Sequence, residues 1–242
     1  MMTAIYRCIV NSVEKYQGDT RKVILSLPDG KDLSFFAGQY IQIITPLKKF
    51  PFSIASSPEN QKQIELHIKP TPDSEDSRII ESIIDSAEAI EIEAPFGDCY
   101  VKKPPTNPVI LLAASTGITQ MKSIIEFLEP HGFKKGVFLY WGVISSHDLY
   151  LDDICKKWDE NHPNFSYTPV VSEPDTSLNW QGRVGLVGEA ALQDFDDLTN
   201  VDIYVSGSAG MVYATFDSFL ERGMPEENMF SDVFSFAPRQ KK

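Results

Sequence analysis

One stretch decides how the second half of this chain folds: Val109-Ile110-Leu111-Leu112-Ala113-Ala114-Ser115-Thr116-Gly117. Six apolar residues in succession are typical of a parallel strand that is covered on both faces. Small residues follow at once, and apolar residues then recur at helical spacing from Ile118 to Leu128. The stretch therefore predicts a buried strand, a tight turn and a helix whose N-terminus can receive an anion such as a pyrophosphate.

Strands and helices alternate from this stretch to the end of the chain. Further predicted strands are Val137–Trp141, Phe165–Val171, Asp202–Ser206 and Met229–Phe236, and further predicted helices are Leu151–Asp159, Gly188–Gln193 and Ala209–Arg222. This alternation predicts a parallel sheet wound with helices. In such a sheet, ligands bind at the carboxyl ends of the strands, where the strand order reverses.

The residues before this stretch have a different texture. Short segments rich in Ile and Val alternate with turn residues at Tyr6–Val13, Thr20–Leu27, Tyr40–Ile44, Ile64–Ile68 and Ile90–Ala94. They predict an antiparallel barrel or sandwich, interrupted by one helix around Ile79–Ile84. The proline-rich segment Lys102–Pro108 predicts a linker. We therefore expect an antiparallel β domain over residues 1–103 and an α/β domain over residues 104–242.

Composition excludes several classes of function. The 242 residues carry a formal net charge of −12, which argues against a nucleic-acid scaffold and against docking on an anionic membrane. Cys8, Cys99 and Cys155 stand far apart, so they predict reduced thiols in a cytoplasmic protein rather than disulfides or a metal cluster. The four histidines lack metal-binding spacing, so no metal is expected. No apolar run approaches the ~20 residues of a membrane span, and the N-terminus lacks the apolar core of a signal peptide.

Candidate sites lie at the predicted strand ends. Ser115-Thr116-Gly117, Tyr140-Trp141-Gly142 and Ser206-Gly207-Ser208 each end a strand of the α/β domain, and together they predict a nucleotide crevice. In the β domain, Phe50–Ser56 places a hydroxyl beside rigid apolar residues, an arrangement that suits the edge of an aromatic ring. Each motif alone also fits an ordinary turn or core position.

The order of the motifs carries more information than any one of them. In chain order they are Ala37–Tyr40, Pro51–Ser56, Glu65–Ile68, Ala94–Gly97, Ser115–Gly117, Tyr140–Gly142, Asp202–Gly207 and Phe230–Phe234. This order and spacing resembles the ferredoxin–NADP reductase superfamily, and most of all the stand-alone NAD(P)H:flavin oxidoreductases of bacteria. The resemblance implies a Greek-key barrel that binds flavin, an α/β domain that binds NADH or NADPH, and hydride transfer between the two nucleotides.

The resemblance also implies roles for individual residues. Ser53 corresponds to the catalytic serine whose hydroxyl bonds the reducible nitrogen of the flavin ring. The flavin is expected to contact Pro51, Phe52, Ser53, His67, Ile68 and Lys69, the last three chiefly through their backbone. The nicotinamide nucleotide is expected to contact Thr116, Gly117, Trp141, Gly142, Ser206 and Gly207.

The chain departs from the family pattern at three places. Phe50 stands where the family has an arginine that supports the flavin, Ala114 and Ser115 replace paired glycines, and Ser206 replaces a cysteine. Without that arginine, the departures favour FMN, FAD or riboflavin as a diffusible substrate, with a flavin-dependent oxygenase as a possible recipient of the reduced flavin. Two alternatives remain: a reductase with bound FAD that serves a separate protein partner, and a non-catalytic nucleotide-binding descendant. The segment Val143–Asp148 holds no lysine or arginine, which favours NADH or the use of both donors.

Overall fold

Twelve strands form two six-stranded sheets in the part of the chain that this computed structural model describes, residues 2–176 and 179–239. The first sheet comes from the N-terminal residues and the second from the C-terminal residues. In the same described part, no helix is both long and apolar enough to span a bilayer.

The first sheet is antiparallel. Its elements are β1 (Ala4–Lys15), β2 (Arg21–Ser26), β3 (Tyr40–Ile44), β4 (Lys49–Ser53), β5 (Gln63–Ile68), α1 (Glu75–Ser86) and β6 (Ala89–Phe96). The strand order is β4-β3-β6-β1-β2-β5, and a bridge between Ile54 and Leu66 joins the two edges into a barrel. Helix α1 packs Ile80 and Ile84 against the barrel core. The predicted antiparallel barrel is confirmed.

The second sheet is parallel. Its elements are β7 (Val109–Ala114), α2 (Ile118–Leu128), β8 (Val137–Val143), α3 (Asp152–Asn161), β9 (Phe165–Val171), β10 (Arg183–Val184), α4 (Val187–Asp194), β11 (Asp202–Ser206), α5 (Ala209–Glu221), β12 (Met229–Phe230) and α6 (Val233–Phe236). The strand order is β10-β9-β8-β7-β11-β12. β7 is buried along almost all of its length, as its apolar run predicts. The predicted α/β domain is confirmed.

The last predicted strand, Met229–Phe236, is confirmed at its start and wrong at its end. Only Met229–Phe230 pairs with the sheet, and Val233–Phe236 forms a short helix. Between them, the Ser231 hydroxyl accepts a hydrogen bond from the Val233 amide at 3.3 Å, and this bond turns the chain into α6. The sequence also gave no indication of β10, a two-residue strand at the sheet edge.

The two halves of the chain share one continuous core. Ala37, Cys99 and Val101 precede β7 in the chain, yet their side chains lie in the same apolar cluster as β7 and α2. The Gln120 amide on α2 also donates to the Gly38 carbonyl at 2.7 Å. The α/β domain is therefore packed directly onto the barrel.

Candidate active site

The carboxyl ends of β7 and β11 lie side by side. Ala113 of β7 pairs with Ser206 of β11. The chain enters the sheet at β7, adds β8, β9 and β10 on one side, and then returns to add β11 and β12 on the other. The strand order thus reverses between β7 and β11, which is where open α/β sheets bind ligands.

A cavity of about 400 Å³ opens at this reversal, between the two domains. It is lined by nine of the predicted site residues: Pro51, Phe52, Ser53, His67, Lys69, Thr116, Gly117, Ser206 and Gly207. Residues from four separate segments thus meet in one place. The resemblance predicted this convergence, and the motifs taken singly did not.

The flavin side of this cavity is formed by the end of β4. Tyr40 of β3 pairs with Ser53, so the sheet fixes the backbone of the serine. Phe52 packs partly against the barrel core and presents the rest of its ring to the cavity. Ser53 is half-buried, and within the described residues its hydroxyl has no hydrogen-bond partner, so it is free to bond a ligand. An apolar wall, a free hydroxyl and a cleft of this size fit a flavin ring.

The nucleotide side of the cavity is a close contact between two backbones. A Cβ added at Gly117 would lie 2.2 Å from the carbonyl oxygen of Ser206, so only glycine lets the turn after β7 approach β11 this closely. Ser115 in the same turn has a φ of 51°, the left-handed region that glycine enters freely. A serine thus adopts a left-handed conformation at a position where the resemblance expects glycine.

Trp141 supports this turn from the core. Its ring is fully buried, and its indole N–H donates to the Ser115 carbonyl at 2.8 Å. Trp141 does not line this cavity, whereas its neighbour Gly142 lines a separate one. The Ile68 side chain likewise packs in the barrel core. Any contact of Trp141 or Ile68 with a nucleotide would run through the backbone, so their binding roles stay predictions.

A second cavity of about 400 Å³ also reaches the end of β4. It shares Pro51, Phe52, Ser53, Ser206 and Gly207 with the first cavity and adds Tyr40, Gln120 and Asp232. The two cavities therefore form one bipartite site around the Ser53 hydroxyl.

Asp232 is a site residue that sequence reasoning missed. Its carboxylate accepts hydrogen bonds from the amides of Asp98 (2.7 Å) and Cys99 (3.0 Å) and from the Gln120 side chain (2.9 Å). Burial raises the pKa of Asp232 even though these hydrogen bonds favour its charged form. Asp232 lies in the motif Phe230–Phe234, which was the signal available in the sequence, but the same residues were predicted as one continuous strand, so its carboxylate was not singled out.

A buried polar network crosses the domain interface behind the first cavity. His67 and Glu65 contact at 2.6 Å between Nε2 and Oε1, and His67 Nδ1 lies 3.2 Å from the Tyr150 hydroxyl. Lys122 lies 3.2 Å from Glu65 and 2.5 Å from Glu126. Since β5 carries Glu65 and His67 while α2 carries Lys122, the network joins the barrel to the α/β domain.

The ionisation of this network follows from burial and charge. Burial lowers the pKa of His67 and outweighs the opposite effect of Glu65. Burial opposes ionisation of Glu65, but the hydrogen bond from His67 and the charge and hydrogen bond of Lys122 overcome it and lower the pKa of Glu65 to about 2. The consistent arrangement is a neutral His67 that donates to the Glu65 carboxylate and accepts from Tyr150.

Three lysines near the flavin side are already paired. Phe50, at the position of the family arginine, is buried in the barrel core. Lys48 forms an ion pair with Asp76, and Lys49 pairs with Glu93 at 2.6 Å. Lys69 pairs across the domain interface with Asp148 at 2.5 Å. The end of β4 therefore fits a flavin ring better than it fits a flavin phosphate.

Comparisons with known proteins agree with this geometry. Residues 7–100 match the family model described as an oxidoreductase FAD-binding domain, and residues 111–217 match the oxidoreductase NAD-binding domain. A probable flavin reductase from Photobacterium leiognathi is 34% identical over 237 residues, which cover 96% of this chain and 99% of the relative. The NAD(P)H-flavin reductase of Vibrio harveyi is 32% identical over 95% of this chain and 98% of its own length.

Longer reductases are also similar. The CDP-6-deoxy-L-threo-D-glycero-4-hexulose-3-dehydrase reductase of Yersinia pestis is 34% identical over 95% of this chain, which covers 68% of that protein. Among solved structures, the Amycolatopsis cytochrome P450 reductase GcoB superposes with a TM-score of 0.84 at 26% identity, covering 95% of this chain and 69% of that one. The chain is therefore an NAD(P)H-dependent oxidoreductase that belongs to the ferredoxin–NADP reductase superfamily.

Proposed function

We propose that this protein is an NAD(P)H:flavin oxidoreductase that binds a diffusible flavin, reduces it and releases it. The observation that carries the proposal is the convergence of β4, β5 and the ends of β7 and β11 on one cavity around the Ser53 hydroxyl. Residues 1–103 supply the flavin side and residues 104–242 the nucleotide side. Relatives of the same length bear the names flavin reductase and NAD(P)H-flavin reductase, which supports the assignment.

The protein contributes orientation and exclusion of water. Hydride transfer is chemistry that the two bound nucleotides supply. Ser53 holds the reducible edge of the flavin ring by a hydrogen bond, and Pro51 and Phe52 form the apolar wall beside it. Thr116, Gly117, Ser206 and Gly207 hold the nicotinamide half against that edge. Such a site lowers the activation barrier by holding the reacting atoms aligned and about 3–3.5 Å apart.

Asp232 acts in the second half of the same cavity. Asp232 lines the same cavity as Ser53, and the protein holds its carboxylate by three hydrogen bonds. Since a nicotinamide ring gains positive charge as it loses hydride, a fixed carboxylate nearby stabilises the oxidised ring electrostatically. Asp232→Asn is therefore expected to lower turnover while it preserves the shape of the cavity.

The paired lysines support flavin as a substrate rather than a permanent group. Lys48, Lys49 and Lys69 are engaged with carboxylates, and Phe50 offers no charge. A ligand held mainly by its ring exchanges with solvent more readily than one that is also held by its phosphate. The reduced flavin would then pass to a separate enzyme, such as a flavin-dependent oxygenase. Three buried thiols fit a reducing cytoplasm as the compartment.

The test is the decay of nicotinamide absorbance under air, with NADH or NADPH and with or without added riboflavin. The expected result is oxidation that depends on added flavin and is lowered at least about tenfold in Ser53→Ala, or about 1.4 kcal/mol of barrier. Ser86→Ala is the matched control, because that hydroxyl bonds the Ser82 carbonyl on α1, away from the cavity. A protein that stays yellow through desalting and needs no added flavin would favour a reductase with bound FAD.

A further inference from the structure

A cavity of about 240 Å³ lies at the amino ends of β7 and β8, at the opposite end of the parallel sheet from the active site. It shares none of its described lining residues with the two active-site cavities. Its walls are mainly apolar and come from the segment before β7, the end of α2 and the start of β8. The apolar lining residues are Pro104, Pro105, Val109, Leu128, Phe133 and Val137.

A tight turn places two lysines at the rim of this cavity. The Gly136 amide donates to the Phe133 carbonyl at 2.9 Å, so Lys134 and Lys135 occupy the two central positions of a β-turn. Phe133 anchors the turn, because its side chain is buried and its ring lies 5.1 Å from that of Phe165. Its φ of 47° lies in the left-handed region, which a bulky residue rarely enters. The fold thus retains a strained backbone where both lysines meet the cavity.

Four exposed lysines surround the cavity. Lys134 and Lys135 line it, and Lys102 and Lys103 directly precede the lining residue Pro104. In the part of the chain that the structure describes, none of the four lies within ion-pair distance of a carboxylate. The three lysines near the flavin side, in contrast, all pair with carboxylates. In a chain with a net charge of −12, a cluster of unpaired cations is a local site of attraction for an anion.

The cavity itself offers an anion no repulsion. Among its described lining residues, none is an aspartate or a glutamate, and the polar ones besides the lysines are Thr106, Asn107 and His131. The Asn107 side chain donates to Asp202 at 3.0 Å, which fixes this part of the wall. Apolar walls with cations at the rim complement a molecule that is apolar at one end and anionic at the other.

We propose that this cavity binds a small aromatic carboxylate, with its ring inside and its carboxylate at Lys134 and Lys135. The adjacent Pro104 and Pro105 are rigid, so a planar ring packs against them without loss of side-chain freedom. The volume suits one ring or two fused rings and is too small for a nucleotide. The site is separate from the Ser53 cavity, so the inference does not rest on the proposed function.

Isothermal titration calorimetry of the intact protein with 2-naphthoate tests the proposal. The expected result is that 2-naphthoate binds about tenfold or more tightly than 2-naphthamide, which keeps the rings and lacks the charge. Acetate keeps the charge and lacks the rings, and it should give no measurable binding. In about 1 M salt the advantage of 2-naphthoate over 2-naphthamide should shrink, because exposed charges are then screened.

Two variants separate the charge from the cavity. Lys134→Gln/Lys135→Gln removes the rim charges and should weaken 2-naphthoate about tenfold while it leaves 2-naphthamide unchanged. Thr106→Trp keeps all four lysines, fills the cavity from an exposed position and should abolish binding of both compounds. Lys31→Gln/Lys62→Gln is the matched control, because it removes two exposed lysines of the barrel that are not among the described lining residues.

Several outcomes overturn the inference: no binding of 2-naphthoate, equal binding of 2-naphthamide or acetate, unchanged binding in Lys134→Gln/Lys135→Gln or in Thr106→Trp, and an equal loss in the control variant. A titration with riboflavin present distinguishes this cavity from the flavin side of the active site. The Kd of 2-naphthoate should not change. Competition between the two compounds would place the naphthalene ring beside Ser53 and overturn the assignment to the amino end of the sheet.

Discussion

Replacing Gly117 by alanine tests whether the contact between the two strand ends builds the site. Gly117 has right-handed backbone angles (φ −57°, ψ −21°), so alanine adds no backbone strain. The new Cβ, however, would lie 2.2 Å from the Ser206 carbonyl oxygen and 2.9 Å from the carbonyl carbon. Both atoms belong to the backbone at the end of β11, which pairs with β7, so neither can move away cheaply.

The size of the effect follows from two opposing terms. An ordinary contact begins near 3.4 Å, so the turn and β11 must separate by about 1 Å. Forced overpacking of this kind costs about 1–3 kcal/mol, and we take the upper end because the obstacle is backbone. The lower entropy of the unfolded alanine chain offsets about 0.5–1 kcal/mol. The net expectation is a loss of about 2 kcal/mol, or about 4–8 °C in Tm for a chain of this length.

Gly210→Ala is the matched control. Gly210 lies at the start of α5, and an added Cβ there meets nothing within 4 Å. The same substitution should therefore stabilise the protein by up to about 1 kcal/mol. Thermal unfolding followed by circular dichroism measures both variants, and donor titrations should show a raised KM in Gly117→Ala alone. A Gly117→Ala protein with the Tm and KM of the unmodified enzyme would refute the close-contact argument, and a destabilised Gly210→Ala would refute its premise about free space.

Two further predictions concern the interior around the cavity. Trp141→Phe keeps a buried aromatic ring but removes the donor to the Ser115 carbonyl. We expect a loss of about 1–3 kcal/mol in stability, measured by thermal unfolding, and a raised KM for the nicotinamide donor, measured by donor titration. An unchanged KM would show that the turn holds without this bond. Acid should destabilise the protein in two stages. Since the pKa of His67 is below its ordinary 6.5 in the folded state, the unfolded chain takes up that proton more readily and stability falls as the pH drops below about 6.5. Since the pKa of Glu65 falls from 4.5 to about 2 on folding, about 3 kcal/mol of stability is lost as the pH falls between those values. In urea unfolding, the stability of Glu65→Gln should therefore depend less steeply on pH in this range. An equally steep dependence would exclude Glu65 as the source of the loss.

The strand ends that form the site were predictable because hydrophobic patterning locates them. The uninterrupted run in β7 and the alternation of strands and helices identified where Thr116 and Ser206 would meet. The functions of buried polar residues were not predictable in the same way. Lys122 lies on an amphipathic helix, where a lysine ordinarily faces solvent, and only the packing of α2 against β5 buries it beside Glu65. The role of Asp232 was not predictable because the sequence predicts one strand from Met229 to Phe236, whereas β12 stops after two residues.

Trp141 shows the limit of a strand-end argument. The resemblance implies a contact of Trp141 with the nucleotide, which stays a prediction. Its position at the end of β8 does not say which face the ligand occupies, because side chains on a strand alternate between faces. The tertiary fold directs the indole into the core, where it holds the turn after β7. Its neighbour Gly142 lines a separate cavity. A residue can therefore serve the site through another residue's backbone.

The shared core has a consequence for how the two nucleotides meet. The proline-rich segment before β7 would serve as a hinge if the domains were joined by it alone. Instead Ala37, Cys99 and Val101 are buried in the core of the α/β domain, and Gln120 bonds both Gly38 and Asp232. Opening the cleft would expose this apolar surface at about 25 cal/mol per Å² and break the Glu65–Lys122 contact. Packing therefore sets the distance between the Ser53 side and the Gly117 side before either ligand binds. Because this distance does not depend on the ligands, a weakly held flavin is still presented to the donor at a reactive distance.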